Sequence, residues 1–373
     1  VARPDAATRT PGLRRTSPAA VVVSLLITVL AGCSTGALAE GNRTSVPAGS
    51  AAAASPVSES RRTEPASEAP TASTAGSPDT TPAPARQISV FPLPAGLTPE
   101  ASGIARSAAD PGVFFLVDDA NGPATIDAVR LAPDGARRAG RWLVDQVTVG
   151  NPEALATGSC GPRGPADTRC LYLGDIGEAD RDDIAVLRVA EPPVTDDPAA
   201  SGTVDDPAVL VAQELVRFTY PDTPQDAESM AVDTDGAMLI LSKPRKPALG
   251  EQGDPVRLYR GDPGGGVLTL VTEFRLPAPL RPLQSRLVGV RPTDMAVDGD
   301  RVLVLTYDQV LEYRRPDPAA PLTDFPTWPV QELTSASLPQ AEGIAGAGDG
   351  CGFVVASEAG PGGSVGSLAT VTC

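Results

Sequence analysis

Five times along the chain an acidic residue heads a short cluster of small and apolar side chains. The segments are Glu100-Ala-Ser-Gly-Ile-Ala105, Glu153-Ala-Leu-Ala156, Glu228-Ser-Met-Ala-Val232, Asp294-Met-Ala-Val297 and Glu342-Gly-Ile-Ala345. After a turn containing Gly, Asp or Pro, each is followed by an apolar run ending in a functional side chain: Phe114-Phe-Leu-Val-Asp118, Leu171-Tyr-Leu-Gly-Asp175, Leu239-Ile-Leu-Ser-Lys243, Leu303-Val-Leu-Thr-Tyr307 and Val354-Val-Ala-Ser-Glu358. Self-similarity over tens of residues, built from short strands and turns, predicts an all-β repeat fold, a β-propeller. Five copies imply five blades, or six if one of the long middle repeats hides a degenerate one. A β-sandwich is the alternative. The last repeat has room for only three strands, and Gln87-Ile-Ser-Val-Phe91 is placed to complete that blade, closing the ring through an N-terminal strand.

The chain ahead of the repeats reads as targeting sequence and tether. Arg3, Arg9, Arg14 and Arg15 precede the uncharged apolar run 19–31, which is short for a membrane span and typical of a signal sequence. It ends in Leu30-Ala31-Gly32-Cys33, which resembles the lipobox of bacterial lipoproteins; the resemblance implies that residues 1–32 are removed and that Cys33 carries the lipid. Residues 33–86 begin with that Cys and then hold no aromatic side chain and mostly Ala, Ser, Thr, Pro and Gly. They are expected to be a disordered tether, leaving 87–373 as the propeller domain. The expected location is the outer face of the bacterial cytoplasmic membrane, held there only by the lipid, and the expected state is a monomer.

Charge and cysteine content narrow the function classes. Loss of 1–32 removes four Arg and one Asp and takes the net charge from −16 to −19, which weighs against nucleic acid or an anionic membrane surface as a direct partner. Cys160, Cys170, Cys351 and Cys373 make an even set outside the cytoplasm. Two local disulfides, 160–170 and 351–373, are the expected pairing. The chain has no histidine, which removes Ser-His-Asp, Cys-His and His-based zinc chemistry. Gly362-Gly-Ser-Val-Gly366 matches a nucleophile elbow only as letters and reads as a Gly-rich loop.

The repeat places its acids around one axis. Glu100, Glu153, Glu228, Asp294 and Glu342 are expected to ring one mouth of the channel, with Asp118, Asp175, Lys243, Tyr307 and Glu358 as a second set at the same opening. Crowded carboxylates raise one another's pKa and call for a cation, donors or shared protons, and hard oxygen ligands favour Ca²⁺. The other reading is that these acids hold backbone N–H groups of neighbouring blades and lock the ring.

Four of the motifs also carry a resemblance. Glu100–Ala105, Gly174-Asp-Ile-Gly177, Asp226-Ala-Glu-Ser229 and Glu342-Gly-Ile344, in this order, are similar to those of secreted bacterial propellers related to the "esterase-like activity of phytase" domain family. The resemblance implies a propeller more directly than it implies a reaction. Two functions follow: a surface module binding a protein or small-molecule ligand at the channel mouth, or a metal-assisted esterase or phosphoesterase using Glu228, Lys243 and Tyr307, with Lys243 or Arg245 holding an anionic group.

Overall fold

A computed structural model describes residues 86–98, 100–161, 168–246, 253–278, 290–333, 337–359 and 365–373. The signal segment, Cys33, the tether and most of the 362–366 loop lie outside the described residues.

Among the described residues strand β1 (Gln87–Pro92) comes first, and twenty-one strands follow. Blade 1 is built from β2 (Ala101–Arg106), β3 (Val113–Asp118), β4 (Gly122–Ala132) and β5 (Gly135–Val149). Blade 2 takes β6 (Pro152–Ser159), β7 (Arg169–Asp175), β8 (Ile184–Ala190) and, after the short β9 (Ala208–Leu210), β10 (Glu214–Thr219). Blade 3 takes β11 (Ala227–Val232), β12 (Met238–Ser242), β13 (Val256–Gly261) and, after the two-residue β14 (Gly266–Val267), β15 (Thr269–Phe274). Blade 4 is β16 (Pro292–Asp298), β17 (Arg301–Thr306), β18 (Val310–Arg314) and β19 (Val330–Leu333). Blade 5 is β20 (Ala341–Gly346), β21 (Phe353–Ser357) and β22 (Ser367–Thr372), completed by β1.

The innermost strands β2, β6, β11, β16 and β20 each pack on the next, and β20 packs back on β2, so the ring of five blades closes. Closure is fastened by β1 running antiparallel to β22, from Gln87 opposite Thr372 to Pro92 opposite Ser367.

The small-apolar motif has a steric cause. A Cβ at Gly103 would lie 2.5 Å from the Leu155 nitrogen and 2.7 Å from the Ala154 carbonyl carbon, so β2 touches the β6 backbone directly. Larger residues leave the axis and fill five clusters, one at each blade boundary. Phe115, Trp142 and Leu187 pack between blades 1 and 2. Phe218, Met230 and Tyr259 lie between blades 2 and 3. Leu258, Tyr313 and Phe325 fill the next boundary, and Leu305 and Phe353 follow between blades 4 and 5. Ile104, Leu116 and Leu368 complete the circle. Alternating side chains thus serve both faces of each sheet, as buried antiparallel blades require.

The insertion at 192–207 leads back to the preceding blade. It holds a helical turn (Pro198–Ser201), whose Ala200 carbonyl accepts the Trp142 indole N–H at 3.2 Å. Then β9 adds to blade 1, parallel to β5, as a fifth strand. Similarly β14 adds parallel to β10 and gives blade 2 its fifth strand.

Both expected disulfides are formed, Cys160–Cys170 and Cys351–Cys373. The second joins the β20–β21 turn to the end of β22, the strand that β1 covers. Its removal as Cys351→Ser/Cys373→Ser is expected to cost about 2–4 kcal/mol in urea unfolding under reversible conditions. Unchanged stability would contradict a closing role.

Candidate functional site at the axial mouth

The blades share one irregularity. In every innermost strand the ladder to the second strand skips one residue near its start: Ser102 in β2, Glu153 in β6, Glu228 in β11, Thr293 in β16 and Glu342 in β20. A bulge re-aims the extra side chain and is a recurrent device beside functional sites. These five positions are therefore equivalent around the ring. Glu153, Glu228 and Glu342 were expected there; Ser102 and Thr293 stand where Glu100 and Asp294 were expected.

That difference follows from register. Glu100 precedes the bulge by two residues, is exposed, and donates its backbone N–H to Asp118 Oδ2 at 3.4 Å. Asp294 follows the bulge by one and points between blades 4 and 5. Fully buried, it accepts the Met295 and Ile344 N–H groups, each at 2.7 Å. Burial pushes its carboxyl well above the ordinary value, against those two backbone bonds. It is a fastener of the ring. Ser102 and Thr293 act across blade boundaries too, donating to the carbonyls of Glu153 at 3.3 Å and Ala341 at 2.8 Å.

The second expected set also divides by register. Asp118 and Asp175 are paired in the ladder opposite Ala101 and Pro152, in line with Ser242, Thr306 and Ser357. All five receive backbone N–H groups of nearby turns or strands: Asp118 from Ala120, Asp175 from Gly150 and Asn151, Ser242 from Arg257, Thr306 from Gln309 and Ser357 from Gln340. The next residue in each blade is Asp119, Ile176, Lys243, Tyr307 or Glu358. Thus Lys243, Tyr307 and Glu358 share one position, and Asp119 is their missed counterpart in blade 1.

Blades 3, 4 and 5 meet here. The Lys243 ammonium donates to Glu228 Oε1 and, at 2.8 Å, to the Tyr307 hydroxyl, and Tyr307 works to lower the Glu342 carboxyl. Glu228 is 8 % and Glu342 5 % exposed, and the Oε2 atom of each is buried with no hydrogen-bond partner. Glu153 is held at both oxygens, by Ser102 Oγ and by Asn151 Nδ2 at 2.7 Å.

Burial sets the electrostatics. It pushes Glu228 up to about 8 even with Lys243 beside it. Glu153 rises to about 8 through burial and the Glu228 charge, and Glu342 to about 7 through burial, with Glu358 adding and Lys243 opposing. Burial lifts Tyr307 to about 12. For Lys243 burial works against the charge, yet Glu228 and Glu342 hold the ammonium above its ordinary value. Toward the rim, burial and then acidic neighbours raise Asp119 to about 6 and Glu358 to about 7. Three buried glutamates thus face one ammonium.

Among the described residues, the one set of three acids whose oxygens lie within 4.8 Å of one another is Glu100, Asp118 and Asp119, at the exposed rim. On the other side Lys243 opens onto a groove of 660 Å³ along the turns of blade 3, lined by basic residues such as Arg245 and Lys246 and by the acids Asp226, Asp254 and Glu273. Among the described residues, no helix is long and apolar enough to cross a membrane.

No family model matches the chain, and no curated protein matches it either. Among solved structures it is similar to the PQQ-bound form of aldose sugar dehydrogenase from Streptomyces coelicolor, with 13 % identity over 78 % of this chain and 100 % of that one, at a TM-score of 0.41. A luciferin-regenerating enzyme aligns at 11 % identity over 77 % and 96 %, with a TM-score of 0.39. The Cps50 (Swd1) β-propeller domain of Myceliophteria thermophila aligns at 9 % identity over 76 % and 99 %, with a TM-score of 0.33. These likenesses are distant; the five-bladed propeller stands on its own strand pairing and ring closure.

Proposed function

We propose that this propeller is a ligand-binding module whose axial mouth takes a hard cation, with Ca²⁺ the best chemical match. The observation that carries the reading is the pair of unpartnered carboxylate oxygens, Glu228 Oε2 and Glu342 Oε2, buried in a mouth where a single ammonium faces three glutamates. An unsatisfied buried acceptor is costly, and all-oxygen donors suit Ca²⁺ over softer metals. Glu153, whose oxygens Ser102 and Asn151 occupy, adds negative charge only as it ionises, its carboxyl being raised to about 8 by burial.

The test is a melting series with Ca²⁺, Mg²⁺ and chelator, with calorimetry alongside. A cation bound to the folded ring at a hundredfold excess over Kd stabilises it by about 2.7 kcal/mol. The wild type is expected to melt higher with Ca²⁺, and Glu342→Gln to lose most of that gain. A melting temperature indifferent to chelator, with no heat of binding, overturns the reading.

Attachment to the outer face of the bacterial cytoplasmic membrane through Cys33 and the tether 33–86 belongs to the same reading. The two disulfides support an oxidising location for the domain. A second reading, metal-assisted ester or phosphoester hydrolysis as the motif resemblance suggests, is favoured by one observation. The Glu228–Lys243–Tyr307 chain opens through Lys243 onto a groove of 660 Å³. Ca²⁺-dependent turnover abolished in Glu228→Gln would establish it.

A further inference from the structure

The axial channel has a second mouth, and its chemistry is the reverse of the first. The bulged residues stand near the starts of the five innermost strands. The later halves of the same strands surround a cavity of 250 Å³ at the other end. Its walls are mostly small and apolar, Ala156, Val232 and Val297 among them, and its charged lining residues are Arg106, Arg169 and Asp298.

The acids at this end are already engaged. Asp298 is held by Arg301 at 2.7 Å. Glu191, beside the lining residues Ser107 and Ala108, accepts the Ser107 hydroxyl and the Ala108 and Ala109 N–H groups, the last two at 3.1 and 3.3 Å. Among the described residues the Arg106 and Arg169 guanidinium groups make neither a hydrogen bond nor an ion pair, although the chain has 46 acidic residues to draw on. Arg106 is nonetheless fixed in place. It is half-buried, and a Cβ at Gly348 would lie 2.3 Å from its Nη2 and 2.4 Å from its Cζ, so the guanidinium presses on the backbone of the β20–β21 turn. A half-buried charge held without a counterion is costly, and an anion entering from solvent relieves that cost.

We infer that this second mouth binds a small dicarboxylate, one carboxylate gripped by Arg106 and the other by Arg169, with a short aliphatic body against the apolar walls. The guanidinium fork matches a carboxylate in its plane. Arg106 lies against blade 5 and Arg169 heads β7 in blade 2, so the two forks call for two charges set apart on one molecule, not for one compact ion. Size agrees. The cavity equals roughly eight waters at their liquid volume of about 30 Å³ each, which suits a dicarboxylate the length of succinate.

The site is independent of the cation reading. Its test uses protein stripped of divalent ions on a chelating resin, because a soluble chelator is itself a polycarboxylate. Succinate, its neutral diamide, butyrate and inorganic phosphate are titrated calorimetrically into the wild type, Arg169→Ala and Arg106→Met. Succinate is expected to bind the wild type, the diamide not, and butyrate about tenfold more weakly because it engages one guanidinium. Each variant is expected to weaken succinate by about tenfold or more. Arg169 is exposed, so Arg169→Ala is expected to melt with the wild type and decides the matter should Arg106→Met melt lower. Absence of succinate binding, equal binding of the diamide or of butyrate, tighter binding of phosphate, or an Arg169→Ala variant that binds succinate as the wild type does each overturns the assignment.

Discussion

Arg301→Met is expected to cost the propeller about 3–5 kcal/mol, the usual loss when one member of a buried ionic network is removed. The Arg301 side chain is fully buried. Its guanidinium binds Asp298 at 2.7 Å and Glu312 at 3.0 Å within blade 4. It also reaches the Cys351 and Gly352 carbonyls of blade 5, at 2.8 and 2.6 Å. Methionine fills much of the volume but leaves Asp298 and the Cys351 carbonyl without their donor, and leaves Glu312 with Arg314 alone and the Gly352 carbonyl with the Ala347 N–H alone, in the turn that Cys351 anchors. Urea unfolding with an unchanged m-value is the measurement. Adding Asp298→Asn to Arg301→Met is expected to recover part of the loss, because it removes the charge of the acid left without a partner. A loss under about 1 kcal/mol would mean that the two blades are held by packing alone.

The fold was legible because its steric rule is written in one-letter patterns. Inner strands of adjacent blades lie close enough that β2 tolerates no Cβ at Gly103 against β6, so small residues recur wherever the motif recurs. The closing strand was legible for a similar reason: three strands in the last repeat left one missing, and 87–91 alternated in the right place. The strands β9 and β14 were not legible. With three and two residues, they hold too little periodicity to separate from loop, and their place is set by parallel pairing to the preceding blade.

The site was legible in part. Aligning the repeats on their acids put Glu100 and Asp294 in the ring, where the bulges place Ser102 and Thr293. The apolar–Ala pairs carry the true register: Ile104-Ala105, Leu155-Ala156, Met230-Ala231, Met295-Ala296 and Ile344-Ala345. Two residues before each pair stands the bulged position. A hydroxyl there donates to the next blade, a carboxylate turns to the mouth, and both satisfy the backbone geometry, so the acid alone was a poor ruler. In a strand of period two, a slip of one residue moves a side chain to the opposite face. This is how Asp118 and Asp175, which hold turns, came to be grouped with Lys243, Tyr307 and Glu358.

Lys243 faces the glutamates of the mouth, so Lys243→Met should steepen the pH dependence of stability. Folded-state values near 8, 8 and 7 for Glu153, Glu228 and Glu342 lie above the 4.5 of a free glutamate. A carboxyl so raised contributes stability fully below about pH 4.5 and loses it as pH climbs through its folded value. The wild type is therefore expected to melt higher at pH 5.5 than at pH 8.5 in the presence of chelator, and Lys243 limits that fall by neutralising Glu228 directly. Without the ammonium the three glutamates have, among the described residues, no ion-pair partner in the mouth. They keep their protons to higher pH, and the variant loses most of its stability where they are forced to ionise. The expected cost is small at pH 5.5 and about 3–5 kcal/mol at pH 8.5, the scale of an unpaired buried charge. At pH 8.5 Ca²⁺ is expected to restore much of this, and to bind the variant more tightly than the wild type, because it then replaces the missing charge without displacing an ammonium. Chemical denaturation at the two pH values, with Ca²⁺ or chelator, separates the outcomes. A loss equal at both pH values would mean that Lys243 acts by packing over the Tyr307 ring, 5.0 Å from its centroid, and not by charge.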